Sequence, residues 1–208
     1  MNYPVIAAFA SSAVALTIGL MTFFYNRAAL KEKKRSERRD LITKKLNEFY
    51  GPLLSYLNIV KALYQLFRAN KPAGFRTLIF LLDRNQEYEM NGIKQTVVLS
   101  KSDEQLLKEI IEIEQKIEDL IVEKGGLVDD PALMFKYIPD PTYTDVNSVN
   151  YGLLAMAVAH FRILRRAYQG HIQGEVERFK DFVYPRELDK VLRDRIEKLI
   201  VEQNQLNQ

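Results

Sequence analysis

No charged side chain occurs in the first 25 residues of the chain, and this constrains everything that follows them. Tyr3 to Tyr25 reads YPVIAAFASSAVALTIGLMTFFY. As a helix rising 1.5 Å per residue it would run roughly 34 Å, enough for a hydrocarbon core of about 30 Å. Tyr3 at one end, and Phe23, Phe24 and Tyr25 at the other, would sit at the two interfaces, where amphipathic rings are favoured. A cleaved signal peptide fits less well, because no basic segment precedes the apolar run and the run is too long for one. The sequence therefore predicts a single-pass transmembrane helix over residues 1–25.

Charge sets the orientation. From Asn26 to Lys45 the bases Arg27, Lys31, Lys33, Lys34, Arg35, Arg38, Arg39, Lys44 and Lys45 face only Glu32, Glu37 and Asp40, a net +6. The whole chain carries +3, so residues 46–208 carry about −3 and the basic character belongs to one belt. Basic residues flanking a span stay on the cytoplasmic side, which predicts an outside amino terminus and a cytoplasmic remainder. Arg27, Lys31, Lys33, Lys34, Arg35, Arg38 and Arg39 are then candidates for binding anionic headgroups of the bilayer, at roughly 1 kcal/mol each. Nucleic acid is the less economical partner for a basic run so placed. Within the span, Ala7, Ser11, Ala15 and Gly19 recur every fourth residue. Such a stripe lets two helix backbones approach closely, and predicts a homo-oligomer.

The remainder reads as all-α: a membrane helix over 1–25, a basic stalk helix over 26–50 and a cytoplasmic helical bundle over 51–208. Ile42, Leu46, Phe49, Leu53, Tyr56, Val60, Leu63 and Phe67 alternate spacings of 4 and 3, a coiled-coil seam. Gly51-Pro52 interrupts it, and a kink or a helix restart at Pro52 is expected because proline offers no amide hydrogen. Asn70 to Gly74 reads as a turn, the TLIFLL run as a short buried helix, and Asp83 to Leu99 leaves room for a hairpin at Asn91-Gly92. Ser102 with Gln105 suggests a capping box for a helix whose seam is Leu106, Ile110, Ile113, Ile117 and Leu120, ending at Gly125-Gly126. That helix nets −5 from Asp103 to Lys124, its acids expected mostly away from the seam. Either heptad could pair with a second chain, but packing within the chain is the default. Leu127 to Asn150 reads as loop with a short helix after Asp130. A core helix follows from Tyr151, and a final one from Pro185 has Leu188, Val191, Leu192, Ile196, Leu199 and Ile200 inward and a frayed end.

Chemistry is sparse. The chain has no cysteine and two histidines, and none of the phosphate-loop, nucleophile-elbow, zinc-protease or dinucleotide signatures occurs. No cofactor, metal site or catalytic residue is predicted. His160 reads as a core or helix-surface residue and His171 as a solvated one. Arg162, Arg165 and Arg166 share one side of a helix and form a candidate anion-binding face. The alternative has them pairing with the acidic helix 103–124.

The stretch Lys45-Leu46-Asn47-Glu48-Phe49-Tyr50-Gly51-Pro52-Leu53, after a membrane span and a basic belt, resembles one in uncharacterised small bacterial single-pass membrane proteins. The resemblance covers about residues 3–57, implies a location in the bacterial inner membrane, and supplies no activity and no catalytic residue. The expected function is a non-enzymatic interaction or regulatory protein, a scaffold or sensor-effector binding itself or a protein partner. A membrane-tethered sensor of an anionic small molecule or nucleotide is the alternative.

Overall fold

The computed structural model describes residues 3–90, 92–134, 152–180 and 182–207, with side chains described for these apart from 3–15 and 90. The chain is mostly helical, as expected. It divides into two compact units, one of residues 1–44 with 201–208 and one of residues 45–200.

In the first unit, helix α1 (Tyr3–Lys45) carries exposed apolar side chains before its charged belt. Leu16, Ile18, Leu20, Met21, Phe23, Phe24 and Tyr25 are all exposed. Thr22 donates its hydroxyl to the Ile18 carbonyl at 2.8 Å, so its polar group is satisfied within the helix. Among the described residues no helix is long and apolar enough to cross a membrane. Residues 3–15 of the expected span, with Ala7, Ser11 and Ala15 of the small-residue stripe, lie outside the described side chains. The carboxyl-terminal residues, expected to fray, are instead helical to Leu206 and tied to α1. Arg38 forms a two-pronged contact with Glu202 at 2.6 and 3.0 Å, Arg35 donates to the Leu206 carbonyl at 2.6 Å, and Gln203 donates to Thr43 at 2.8 Å.

The second unit is a helical bundle. The expected helix restart at Pro52 is absent: Lys45, Tyr50 and Gly51 all keep right-handed helical torsions, and a π-turn over Leu46–Tyr50 leads into α2 (Gly51–Arg68). The extra residue in that turn accommodates the proline, with the Gly51 amide reaching back five residues to the Leu46 carbonyl. A Cβ on residue 51 would stand 2.7 Å from that oxygen, inside any real contact distance, so glycine is required there.

Burial along α2 falls on Leu53, Leu57, Val60 and Phe67, while Tyr56 and Leu63 of the expected seam are only half-buried. This is the broad apolar face of a globular helix, not a narrow coiled-coil seam. It packs within the chain against α4 (Lys101–Lys124), and α4 packs in turn against α6 (Leu153–Tyr168). The capping box of α4 lies two residues earlier than expected: Ser100 accepts from the Asp103 amide at 3.1 Å, and the Asp103 carboxylate accepts from the Ser100 amide at 3.0 Å. Lys71 pairs with the same carboxylate at 2.8 Å.

Helix α3 (Thr77–Leu82) is wholly buried. The hairpin for which residues 83–99 left room is present, β1 (Glu87–Met90) antiparallel to β2 (Ile93–Thr96), in register Glu87 to Thr96. A 3-10 turn (Gly125–Leu127) and short helices α5 (Pro131–Met134) and α7 (Val176–Phe179) complete the described elements, with α8 (Leu188–Leu206) starting three residues after Pro185. Leu188, Leu192 and Leu199 are its buried residues, whereas Ile200 is exposed. The expected loop lies outside the described residues from position 135 onward.

Candidate functional site

Helix α4 brings an acid into the core. Leu107, Ile110, Glu114 and Ile117 follow one another at 3, 4 and 3 residues, so Glu114 occupies a seam position and is only 2% exposed. Tyr64 of α2 donates its phenol to Glu114 Oε1 at 3.1 Å, while Oε2 is buried without a hydrogen-bond partner. Burial pushes the carboxyl up from 4.5 to about 8. The Tyr64 hydrogen bond and the charge of Arg165 oppose that rise without overcoming it. The group is thus a neutral carboxylic acid at pH 7, able both to donate and to accept. Burial, reinforced by Glu114, also lifts the Tyr64 phenol well above its usual range.

Two further buried polar atoms without hydrogen-bond partners line the same space, His160 Nδ1 from α6 and the Tyr184 hydroxyl from the segment before α8. Burial, helped by the nearby Arg76 charge, lowers His160 to about 4, so the imidazole is neutral. Burial, with Asp189 and Glu114 nearby, raises the Tyr184 phenol far above its usual value. The rings interlock: His160 stacks on Phe182 at 5.8 Å, Phe161 stacks on Tyr184 at 5.8 Å, and His160 meets Tyr184 edge-on at 6.0 Å.

These groups bound a cavity of about 560 Å³ enclosed by α2, α3, α4, α6 and residues 182–189. Its walls are apolar and aromatic, among them Leu57, Val60, Phe75, Phe161, Leu164 and Phe182. The lining residues that reach solvent mark the mouth, and there the cations gather: Lys61, Arg68 and Arg186 are exposed, with Arg76 half-buried. Lys61 pairs with Asp189 at 3.1 Å, and Arg76 is committed to the carbonyls of Lys180 and, at 3.3 Å, Phe182. Volume, apolar lining and a few convergent polar atoms are the attributes of a small-molecule site. A buried polar atom without a partner costs free energy, which a ligand completing the hydrogen bond restores.

The arginines singled out in the sequence do not line this cavity. Arg162 donates to Glu118 at 2.6 Å, Arg165 meets Glu118 at 3.1 Å and Gln115 at 2.9 Å, and Arg166 is exposed. For the first two, pairing with the acidic helix is the arrangement found. Five of the eight acids of α4 are exposed, in line with the expectation that most lie away from its seam, while Glu114 and Glu118 are buried. Of the basic belt, Arg27, Lys31, Lys33, Lys34 and Arg39 are exposed, while Arg35 and Arg38 are engaged with the carboxyl-terminal helix. Gly19 of the small-residue stripe is exposed too. His171 is exposed, as expected, whereas His160 faces the cavity. Among the described residues no cluster of three or more His, Asp or Glu could hold a metal ion.

The Lys45 to Leu53 stretch is used within the chain. Phe49, Tyr50 and Leu53 are fully buried, with the Phe49 and Tyr50 rings edge to face at 5.1 Å. Lys45 and Tyr50 both contact Asp129, Tyr50 at 3.2 Å, and Arg195 of α8 grips the same carboxylate at 2.6 and 3.0 Å. Glu48 pairs with Lys124 at 3.3 Å. Burial alone would raise the Asp129 carboxyl, but its bonds to Arg195 and Lys45 outweigh that and hold it at about 2. Burial, together with the Asp129 charge, pushes the Tyr50 phenol up to about 12. The π-turn is therefore a structural junction, tied to the segment after α4 and to α8 by one shared acid. Comparison with protein-family models, curated proteins and solved structures found no match to this chain.

Proposed function

We propose that this chain is a membrane-tethered, non-enzymatic small-molecule receptor whose cytoplasmic helical bundle holds its ligand in the cavity around Glu114. The observation that carries the reading is the convergence of Glu114 Oε2, His160 Nδ1 and Tyr184 OH, all buried and without hydrogen-bond partners, on one cavity of about 560 Å³. Core positions are rarely given to such groups unless another group completes them. The tether rests on the uncharged run Tyr3–Tyr25 and the basic belt after it, and the exposed apolar girth of α1 from Leu16 to Tyr25 supports it. The same belt favours a bundle on the cytoplasmic side, and an inner-membrane location rests on the resemblance of the Lys45 to Leu53 stretch. A second reading, a scaffold binding itself or a protein partner, draws on that exposed apolar girth, which another copy of α1 would cover as well as lipid does.

Native mass spectrometry of the full-length chain released from lipid nanodiscs tests both readings. A small-molecule mass retained by the wild type and absent from Leu164→Trp, which fills the cavity, is the expected result. A bare protein mass, with amide exchange around Tyr64, Glu114 and Tyr184 unchanged by a metabolite extract, would overturn the receptor reading. The same spectrum gives the stoichiometry, and a monomer would remove the self-association reading.

A further inference from the structure

The cavity is asymmetric in charge, and the asymmetry selects a ligand class. Its inner end presents Glu114, His160 and Tyr184, three groups that each donate and accept hydrogen bonds without a net charge. An anion seated there would find no cation among these three groups to balance it, and a cation would have to pass the mouth, where Lys61, Arg68, Arg76 and Arg186 are opposed only by Asp189. Between the two ends, Phe75, Phe161 and Phe182 join the Tyr184 and His160 rings in the lining, flat surfaces suited to a flat body. An alkyl chain would fill the volume but leave all three inner polar atoms unsatisfied, so it fits less well than a ring bearing heteroatoms or hydroxyls.

We propose that the cavity takes an aromatic or heteroaromatic acid, its neutral hydrogen-bonding ring seated against Glu114, His160 and Tyr184 and its anionic group held at the mouth by Arg68 and Arg186. Arg68 spends one nitrogen on the Phe75 carbonyl at 3.3 Å, and its guanidinium offers further donors. Arg186 is exposed and lines the same cavity. The inference rests on the receptor reading and adds the ligand's chemistry and its direction of entry, ring first.

Calorimetric titration of the full-length chain in nanodiscs tests it with two acids, adenosine 5′-monophosphate and 4-hydroxybenzoate, which separate a phosphate source of the charge from a carboxylate source. Each is run beside its halves, adenosine and ribose 5-phosphate for the first, phenol and acetate for the second. At least one acid should bind, with each of its halves weaker by about tenfold or more. Arg186→Ala, at an exposed position, should weaken that acid by about fivefold or more while leaving its ring-only half unchanged, and Glu114→Leu should weaken both. A ring-only probe binding as tightly as its acid, or neither acid saturating by about 1 mM, would overturn the proposal. If neither acid binds while native spectra still show a retained mass, the ligand class falls and the receptor reading stands; a bare mass removes both.

Discussion

Glu114→Gln separates the cost of the cavity from its use. In the unfolded chain this carboxyl titrates near 4.5, and in the fold near 8. Between those values the folded state holds a proton that the unfolded state has released, so stability falls as pH rises from about 4.5 to 8 and then levels. At about 1.4 kcal/mol per pH unit, the penalty at pH 7 is about 3 kcal/mol. Glutamine mimics the neutral acid in shape, keeps an oxygen for the Tyr64 phenol, and cannot ionise. The variant should therefore match the wild type within about 1 kcal/mol at pH 5 and exceed it by about 4 kcal/mol at pH 8, a gain of roughly 12 °C in melting temperature.

Urea unfolding of the full-length chain in nanodiscs, followed by circular dichroism at several pH values, gives the difference directly. His160 acts in the opposite direction. Its folded value of about 4 lies below the usual 6.5, so it adds stability above 6.5 that is lost as pH falls towards 4. That contribution is common to both proteins and cancels in their difference, as do those of Tyr64 and Tyr184, which stay neutral throughout the range. The charge of Arg165 is likewise present in both. Parallel stability profiles for wild type and Glu114→Gln between pH 5 and 8 would refute the reasoning, for they would mean that Glu114 is ionised and hydrated in the fold.

Other substitutions test the remaining parts. Gly51→Ala should destabilise by about 2 kcal/mol because its Cβ would strike the Leu46 carbonyl; an ordinary helix interior would instead gain about 1 kcal/mol from alanine, so the sign of the change in urea decides. Asp129→Asn should remove an acid-labile contribution: the fall from 3.8 to about 2 corresponds to about 2 kcal/mol, reduced to roughly 1 kcal/mol by solvent at this 29% exposed side chain, present above pH 4 and lost on acidification towards pH 2. Joint replacement of Arg162 and Arg165 by alanine leaves Glu118, only 9% exposed, without its two charge partners and should cost about 3 kcal/mol in unfolding experiments; unchanged stability with lost anion binding would restore the arginine face as a site. Deleting residues 1–25 should release the chain from carbonate-washed membranes, and a full-length chain that carbonate itself extracts would sink the tether.

How much of this was legible depends on whether burial follows from spacing. Helices α2, α4 and α6 were legible because their apolar residues repeat at 3 and 4 and their ends carry turn chemistry. The capping box was displaced by two residues because aspartate, shorter than the expected partner, closes the same reciprocal pair from Ser100. The π-turn was illegible from composition, since Gly51-Pro52 reads as a break whenever the local rule is applied alone. The helix continues because one added residue lets the Gly51 amide reach Leu46 and leaves proline where no amide is needed. Glu114 is the most instructive omission. Its seam spacing with Leu107, Ile110 and Ile117 was present in the sequence, but the rule that places charges on the solvated face overrode it. An acid at a seam position is a local rule broken in the core, where a protein gives up stability for a purpose. By contrast, the conspicuous trio Arg162, Arg165 and Arg166 left two readings open, an anion-binding face or pairing with the acidic helix, and two of them are the counter-charges of Glu118. In this chain a misplaced single charge located the cavity better than a cluster did, because a cluster can be neutralised from the facing helix while a lone buried acid keeps its cost until a partner reaches it.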